Sequence, residues 1–373
     1  MNASMAPLAQ VVIACGFALA FVFGLVAART NFCTMGALSD IVNMGHWGRM
    51  RMWLLAVAVA IAGTSVLSQT GQVDLARSVV QRPVLPWLSL VIGGLLFGVG
   101  MTLSGGCANK NLVRLGGGSL RSLVVLVFMG IASYMTLKGL FGAWRSRWLD
   151  PVSLDLGRLG WGDQSLATAL AHAAGVPAQV ALPPVAAMIV IALAAIAFKD
   201  RRFRANRAQV LGALAIGTLV IAGWYVTGHV GYGENPETLE QVYFATNSRT
   251  LESLSFVAPI AYGLELLMLW TDASLHVSFG IASVAGVVLG SAAYALAAGT
   301  FRWEGFASFA DLRTQLGGAV LMGFGGVTAL GCTIGQGLSG LSTLAIGSFI
   351  AVAGIVIGSV TTLKYLLWKA ERE

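Results

Sequence analysis

The chain has 373 residues, of which 57% are hydrophobic and only 10% charged, with a formal net charge of +7. A soluble domain carries roughly 25% charged residues, so this composition, with its mean hydropathy of +0.79, excludes a water-covered globule. Basic residues gather at the flanks of apolar runs and not along one face, which excludes a nucleic-acid-binding surface.

Apolar runs long enough to cross a bilayer recur along the chain and do not alternate as barrel strands would. The expected fold class is all-α: a polytopic membrane protein in the lipid bilayer. Candidate spans are roughly 8–28, 50–68, 86–103, 119–138, 179–198, 208–227, 259–270 with its flanks, 276–298, 313–330 and 344–368. MNASMAPLAQ has no charged n-region, so the first run reads as a retained helix and not a cleaved leader. The connection KDRRFRANR, 199–207, holds five basic residues against Asp200, whereas 228–258 holds Glu234, Glu237, Glu240 and Glu252 against Arg249. The positive-inside rule then places 199–207 in the cytoplasm, 228–258 and the N-terminus outside, and Arg29, Arg49 and Arg51 inside. The side of the C-terminus depends on whether 259–270 crosses.

One internal repeat emerges. GLLFGVGMTLSGGC, 94–107, matches AVLMGFGGVTALGC, 319–332, at a shift of 225 that lays Gly98, Gly100, Gly106 and Cys107 on Gly323, Gly325, Gly331 and Cys332. The expected organisation is two pseudo-symmetric halves, 1–198 and 208–373, joined by the basic linker 199–207, with a site at their interface as in many transporters.

LSGGCANKNLVRLGGG, 103–118, interrupts an apolar region, and GCTIGQGLSGLST does so again from 331. Both read as spans that break or re-enter at mid-membrane, with a short helix expected from Cys107 to Gly116. Irregular backbone at that depth must be buried in protein or line a wet cavity. A helix starting there aims free N–H groups and the positive end of its dipole at an anion. Gly106, Ala108, Asn109, Lys110, Gly331, Thr333 and Gln336 are therefore candidate contacts, with Lys110, Arg114 and Arg121 adding positive potential. The competing reading, that the glycines simply let helices pack closely, holds well for the glycines alone and less well for glycine, cysteine and polar residues occurring together twice.

No CxxC or zinc spacing occurs among Cys15, Cys33, Cys107 and Cys332. They read as free thiols: Cys15 within an apolar run, the other three in breaks. A thiol is a weak donor with a polarizable sulfur. In a dry passage it suits a large, soft, sulfur-bearing anion and presents no fixed charge to trap it. His46, His172, His229 and His276 fall near span ends, so neither a metal site nor a haem is expected, and no cofactor is. Glu265 and Asp272, close to membrane depth, are candidates by position.

RTNFCTMGALSD, SGGCANKNLVRLGGGS and GCTIGQGLSGLS resemble the signature segments of the YeeE/YedE family of bacterial inner-membrane proteins, also described as sulfur transport domain proteins. The match covers about 16–130 and 312–358. The resemblance implies an inner-membrane permease for thiosulfate, not an enzyme. In it, central cysteines, here Cys33, Cys107 and Cys332, pass the anion through a narrow waist by S–H···S contacts. It also implies a frequent association with a small cytoplasmic sulfur carrier of the TusA type. Departures are the long stretches 139–178 and 228–258, the extra Cys15, and the lack of a second-half partner for Cys33. Alternative readings are an intramembrane thiol redox or sulfur-transfer protein, or a permease for a selenium or other sulfur compound. A dianion entering against a negative-inside potential costs about 2.3 kcal/mol per charge per 100 mV, so either a proton moves with it or consumption inside pulls it through.

Overall fold

The computed structural model describes residues 6–234, 239–306 and 308–372; Glu237 lies outside them. The architecture is helical: α1 (Ala6–Thr30), α2 (Thr34–Met44), α3 (Gly48–Gln69), α4 (Trp87–Leu103), α5 (Ala108–Gly116), α6 (Leu120–Lys138), α7 (Leu140–Trp144), α8 (Leu166–Ala174), α9 (Ala178–Phe198), α10 (Arg201–Ala205), α11 (Arg207–Tyr225), α12 (Val257–Met268), α13 (Phe279–Ala297), α14 (Phe309–Thr328) and α15 (Ile346–Ala370). Sheet structure is confined to two-stranded ladders, Val84–Leu85 with Leu154–Asp155 and Tyr232–Glu234 with Gln241–Tyr243. These occupy the long connections expected to lack spans.

Among the described residues, eight helices are long and apolar enough to cross a membrane. The sequence also gave spans to 259–270 and 313–330. The first is corrected: α12 has 12 residues, about 18 Å of helix against a hydrocarbon core of about 30 Å. Its apolar continuation, Leu269–Trp270, lies exposed beyond the helix end. The second forms α14, 20 residues long but polar at its start, with Asp311, Arg313 and Gln315. Packing against α4 and α6 shelters Asp311 and Gln315, while Arg313 stays exposed.

Packing contacts come in pairs. α1 lies along α13 and α11 along α3; α4 along α15 and α14 along α6; α2 touches α15 and α12 touches α6; α5 meets α13 and the turn 335–340 meets α3. Each member of a pair becomes the other when α1–α6 trade places with α11–α15 and that turn.

The repeated glycines sit in these contacts. A Cβ on Gly98 would collide with the carbonyl of Ile355 in α15, and one on Gly323 would lie 2.5 Å from that of Met129 in α6. On Gly100 it would lie 2.6 Å from Gly318 O, and on Gly325 2.5 Å from Phe97 N. The glycines at 98, 100, 323 and 325 thus serve close backbone approach, the bland reading of the motif, since lipid itself gives helices no hydrophobic drive to associate. The clamp between α6 and α12 is polar instead: buried Glu265 accepts from Lys138 Nζ at 2.6 Å and Tyr134 Oη at 3.0 Å. Asp272 is exposed and accepts from Ser274 N, and all four histidines are exposed.

Because no flexible side chain separates α4 from α14, Gly100→Ala or Gly325→Ala should destabilise the fold by about 1–3 kcal/mol. Thermal unfolding of detergent-solubilised protein checks this. Gly263→Ala, where an added Cβ meets open space, should leave the midpoint unchanged.

Candidate functional site

Three helices stop inside the bundle, and each stop is followed by a cysteine. After α1, Asn31 turns left-handed (φ 52°), and Cys33 caps α2, its Sγ accepting from Gly36 N at 3.3 Å. After α4, Gly105 turns left-handed (φ 67°) and Cys107 caps α5. The short helix runs from Ala108 to Gly116, as the sequence leads one to expect. After α14 the left-handed residue is Leu330 (φ 57°), and the Cys332 sulfur accepts from Gly335 N at 3.4 Å.

The second and third breaks share one construction. Gly106 N donates to Met101 O at 2.9 Å and Gly331 N to Gly326 O at 2.8 Å; Asn111 N donates to Cys107 O and Gln336 N to Cys332 O. Every one of these residues has its counterpart at the 225-residue shift. The side-chain amides at 111 and 336 correspond too. Asn111 Nδ2 donates to the carbonyls of Gly106 and Cys107, while Gln336 Nε2 donates to Ala329 O at 2.7 Å and its Oε1 accepts from Ser348. Gln336, expected among the anion contacts, has its amide committed to bracing the break. Asn111, which the sequence reading passed over, does the same work in the first half.

The breaks converge. The thiols of Cys33 and Cys107 adjoin, and the Thr333 hydroxyl, one residue beyond Cys332, adjoins Cys107. Cys107 and Cys332 are fully buried and Cys33 is nearly so. All four cysteines are free thiols, with Cys15 packed against the apolar core away from the breaks. Thr34 Oγ1 and both amide atoms of Asn109 are buried and have no hydrogen-bond partner. A buried polar group without a partner costs about 1–3 kcal/mol, and here one follows Cys33 and another Cys107 within two residues. Gly106, Ala108 and Gly331 are buried beside them; a Cβ on Gly106 would press on the Lys110 stem at 3.0 Å, and one on Gly331 on Gln336 N at 3.1 Å.

Positive charge stands to one side of the Cys33–Cys107 pair. Half-buried Lys110 donates to Asn31 Oδ1 at 3.1 Å, Arg114 donates to Gly105 O at 2.8 Å, and the Arg49 guanidinium, doubly bonded to Asp40, covers Gly36. Arg121 faces Asp311 at 3.8 Å at the start of α6. Beyond Cys332 lies a cavity of about 290 Å³, whose floor is Gly331 and Gly335 and whose wall includes Ser255, Tyr262, Glu252 and Arg145. The Ser255 hydroxyl sits directly over Gly335. Ser255 and Glu252 escape a sequence reading because the fold of 228–258, and no motif, brings them there. Among the described residues no cluster of His, Cys, Asp and Glu could hold a metal ion.

A family model described as Sulphur transport matches residues 29–361, a stretch that begins before the first break and ends after the third. The chain belongs to the sulphur transport family. Two relatives align over nearly their whole length, each named thiosulfate transporter TsuA. That of Spirochaeta thermophila is 26% identical over 367 residues, 95% of this chain and 98% of the relative. That of Escherichia coli strain K12 is 24% identical over 365 residues, 92% of each. As a member of the sulphur transport family, this multi-pass membrane protein is a transporter and not an enzyme.

The braces and the unpartnered groups should separate by stability. Asn111→Ala and Gln336→Ala remove buried hydrogen bonds and should each cost about 1–3 kcal/mol, whereas Asn109→Ala removes none and should leave thermal unfolding unchanged or raise its midpoint.

Proposed function

We propose that the chain imports thiosulfate, or a closely related sulfur-containing anion, across the bacterial inner membrane, and that Cys332, Cys107 and Cys33 hand the anion inward in that order. The observation that carries this reading is the meeting of the Cys33 and Cys107 thiols with the Thr333 hydroxyl, while buried, unpartnered Thr34 and Asn109 follow two of the cysteines within two residues. Hydroxyls, an amide and helix N-termini supply donors to sulfonate-like oxygens. The thiols meet the terminal sulfur, whose size and softness match theirs. The relatives' names point to the same substrate.

Orientation follows from charge and helix length. With α12 too short to cross, the crossings are α1, α3, α4, α6, α9, α11, α13, α14 and α15. An outside N-terminus then puts 199–207 inside and the C-terminus inside as well, with Lys364, Lys369 and Arg372. The turn 117–119, which hydrogen-bonds to 302–304, falls inside too, whereas 81–82, 164 and 343–346, also bonded to one another, fall outside. Under this arrangement α4 and α14 run in opposite directions, and the chain is two inverted halves, 1–198 and 208–373, about the linker. The Glu252-lined cavity opens outward, and Arg49, Lys110 and Arg114 receive the anion at the inner side. A small cytoplasmic sulfur carrier of the TusA type, docking at that side, would keep the flux inward by consuming the product.

Purified protein in liposomes should accumulate labelled thiosulfate. Cys107→Ala and Cys332→Ala should each reduce uptake at least a hundredfold at unchanged yield and elution, and Asn109→Ala about tenfold, the worth of roughly one hydrogen bond. Wild-type uptake by both cysteine variants would remove the relay, and competition by selenium oxyanions as strong as by thiosulfate would reassign the substrate.

A further inference from the structure

Glu252 is a carboxyl set into the outer cavity, and nothing in the relay uses it. Its backbone is pinned to Thr227, whose hydroxyl bonds both its N–H and its carbonyl. The carboxyl accepts one side-chain hydrogen bond, from Ser248 Oγ to Oε2 at 3.0 Å. It shares the cavity wall with Ser255 and the floor with Gly331 and Gly335, the residues flanking Cys332.

The charges around it leave it uncompensated. Arg145, on the segment after α7, also lines the cavity, but its guanidinium is bonded to Asp150 at 3.1 Å. From α12 comes Tyr262, a neutral phenol; the Lys138–Glu265 pair behind it is closed on itself at 2.6 Å. Val79 and Val80, the stretch 326–331 and Ser339–Gly340 contribute no charge to the wall. An ionised Glu252 would therefore set a bare negative charge in the space a dianion has to enter. At an effective dielectric of about 20, two unit charges 4 Å apart repel by about 4 kcal/mol. Such a group obstructs an anion route unless it can become neutral.

We propose that Glu252 is a protonation gate on the outer cavity: neutral, it admits the anion to the Cys332 break, and ionised, it turns the anion away. The proposal rests on the cavity being the outer approach to the relay. Burial pushes the Glu252 carboxyl up to about 7, against the small opposing pull of the Ser248 hydrogen bond, so the gate works in the range that the outside of a bacterium experiences. The direction is that of a raised carboxyl: neutral and open below this value, ionised and closed above it. Thiosulfate itself stays a dianion throughout, so a pH dependence belongs to the protein.

The test is uptake of labelled thiosulfate into liposomes bearing the full chain, with equal pH on both faces. Wild-type uptake at subsaturating substrate should fall about tenfold between pH 6 and pH 8, following the neutral fraction of a group with pKa about 7. Glu252→Gln, permanently neutral, should hold the wild-type pH 6 rate across the range. Ser248→Ala, which removes a donor that favours the ionised form, should move the fall to higher pH. A Glu252→Gln protein that keeps the wild-type slope, or that is monodisperse yet silent at every pH, overturns the gate. So does an unmoved midpoint in Ser248→Ala. Failure of the underlying reading looks different: Cys332→Ala would then transport like wild type at pH 6, whatever Glu252 does.

Discussion

A helix that stops inside a bilayer leaves N–H and C=O groups that lipid cannot satisfy. This chain ends three helices within its packed bundle, where the same constraint holds for buried backbone, and most of its specific chemistry answers it. Backbone bonds such as Gly106 N to Met101 O and Gly331 N to Gly326 O close the carbonyl side. The amides of Asn111 and Gln336 take up what remains of it. What stays open is the N-terminal side of the next helix, together with Thr34 and Asn109. The asymmetry has direction. The backbone carbonyls of the breaks, which would repel an anion, are satisfied from within, whereas side chains able to donate are left open, among them Asn109 with both its amide atoms.

Glycine packing is the precondition. α4 and α14 approach until backbone meets backbone at Gly100 and Gly325, and each rests on α15 or α6 through Gly98 or Gly323. The two breaks at the ends of α4 and α14 are thereby held at a fixed distance, and the Thr333 hydroxyl reaches Cys107 across the interface. Larger residues at those four positions would separate the helices and take the thiols and orphan donors apart with them. Scaffold and site are therefore coupled through a contact that contains no functional group at all.

The helices were legible because a run of apolar residues has a length that can be compared with a bilayer. α12 misleads for the same reason: hydropathy registers Leu269 and Trp270 as continuing the run, although the helix has already ended at Met268. The breaks at Cys107 and Cys332 were legible through the repeat. Its glycines were not separable by sequence, because residues that permit close packing and residues that permit a left-handed turn are both written Gly. The structure divides them, giving contact to Gly98, Gly100, Gly323 and Gly325 and the turn to Gly105. In the second half the turn falls on Leu330, which no turn rule would select. Gln336 looked like a ligand because it is polar and lies in a break, yet both ends of its amide are used. Glu252 looked like one loop acid among several, since its burial is created by residues far away in sequence.

Leu330 shows how far the two breaks have been driven apart by their surroundings. Gly105 holds the same left-handed conformation without strain, whereas a leucine there costs roughly 1–2 kcal/mol. Strain of this kind persists only where the surrounding structure imposes it. Around Leu330 the imposition is visible: Leu330 N donates to Val327 O and Gly331 N to Gly326 O, closing the end of α14. The side chain that bears the strain also has a place to be, lining the outer cavity beside Gly331. Gly105, by contrast, lies under the Arg114 guanidinium, which bonds its carbonyl; an added Cβ would meet that group at 3.6 Å, so the left-handed backbone and not want of space favours glycine here. One backbone plan thus serves two environments, a floor for the apolar wall of the outer cavity in one half and a seat for a cation in the other. An anion passing between them would move from the chamber that holds Glu252 toward the side where Lys110 and Arg114 stand, with thiols, hydroxyls and amides in between.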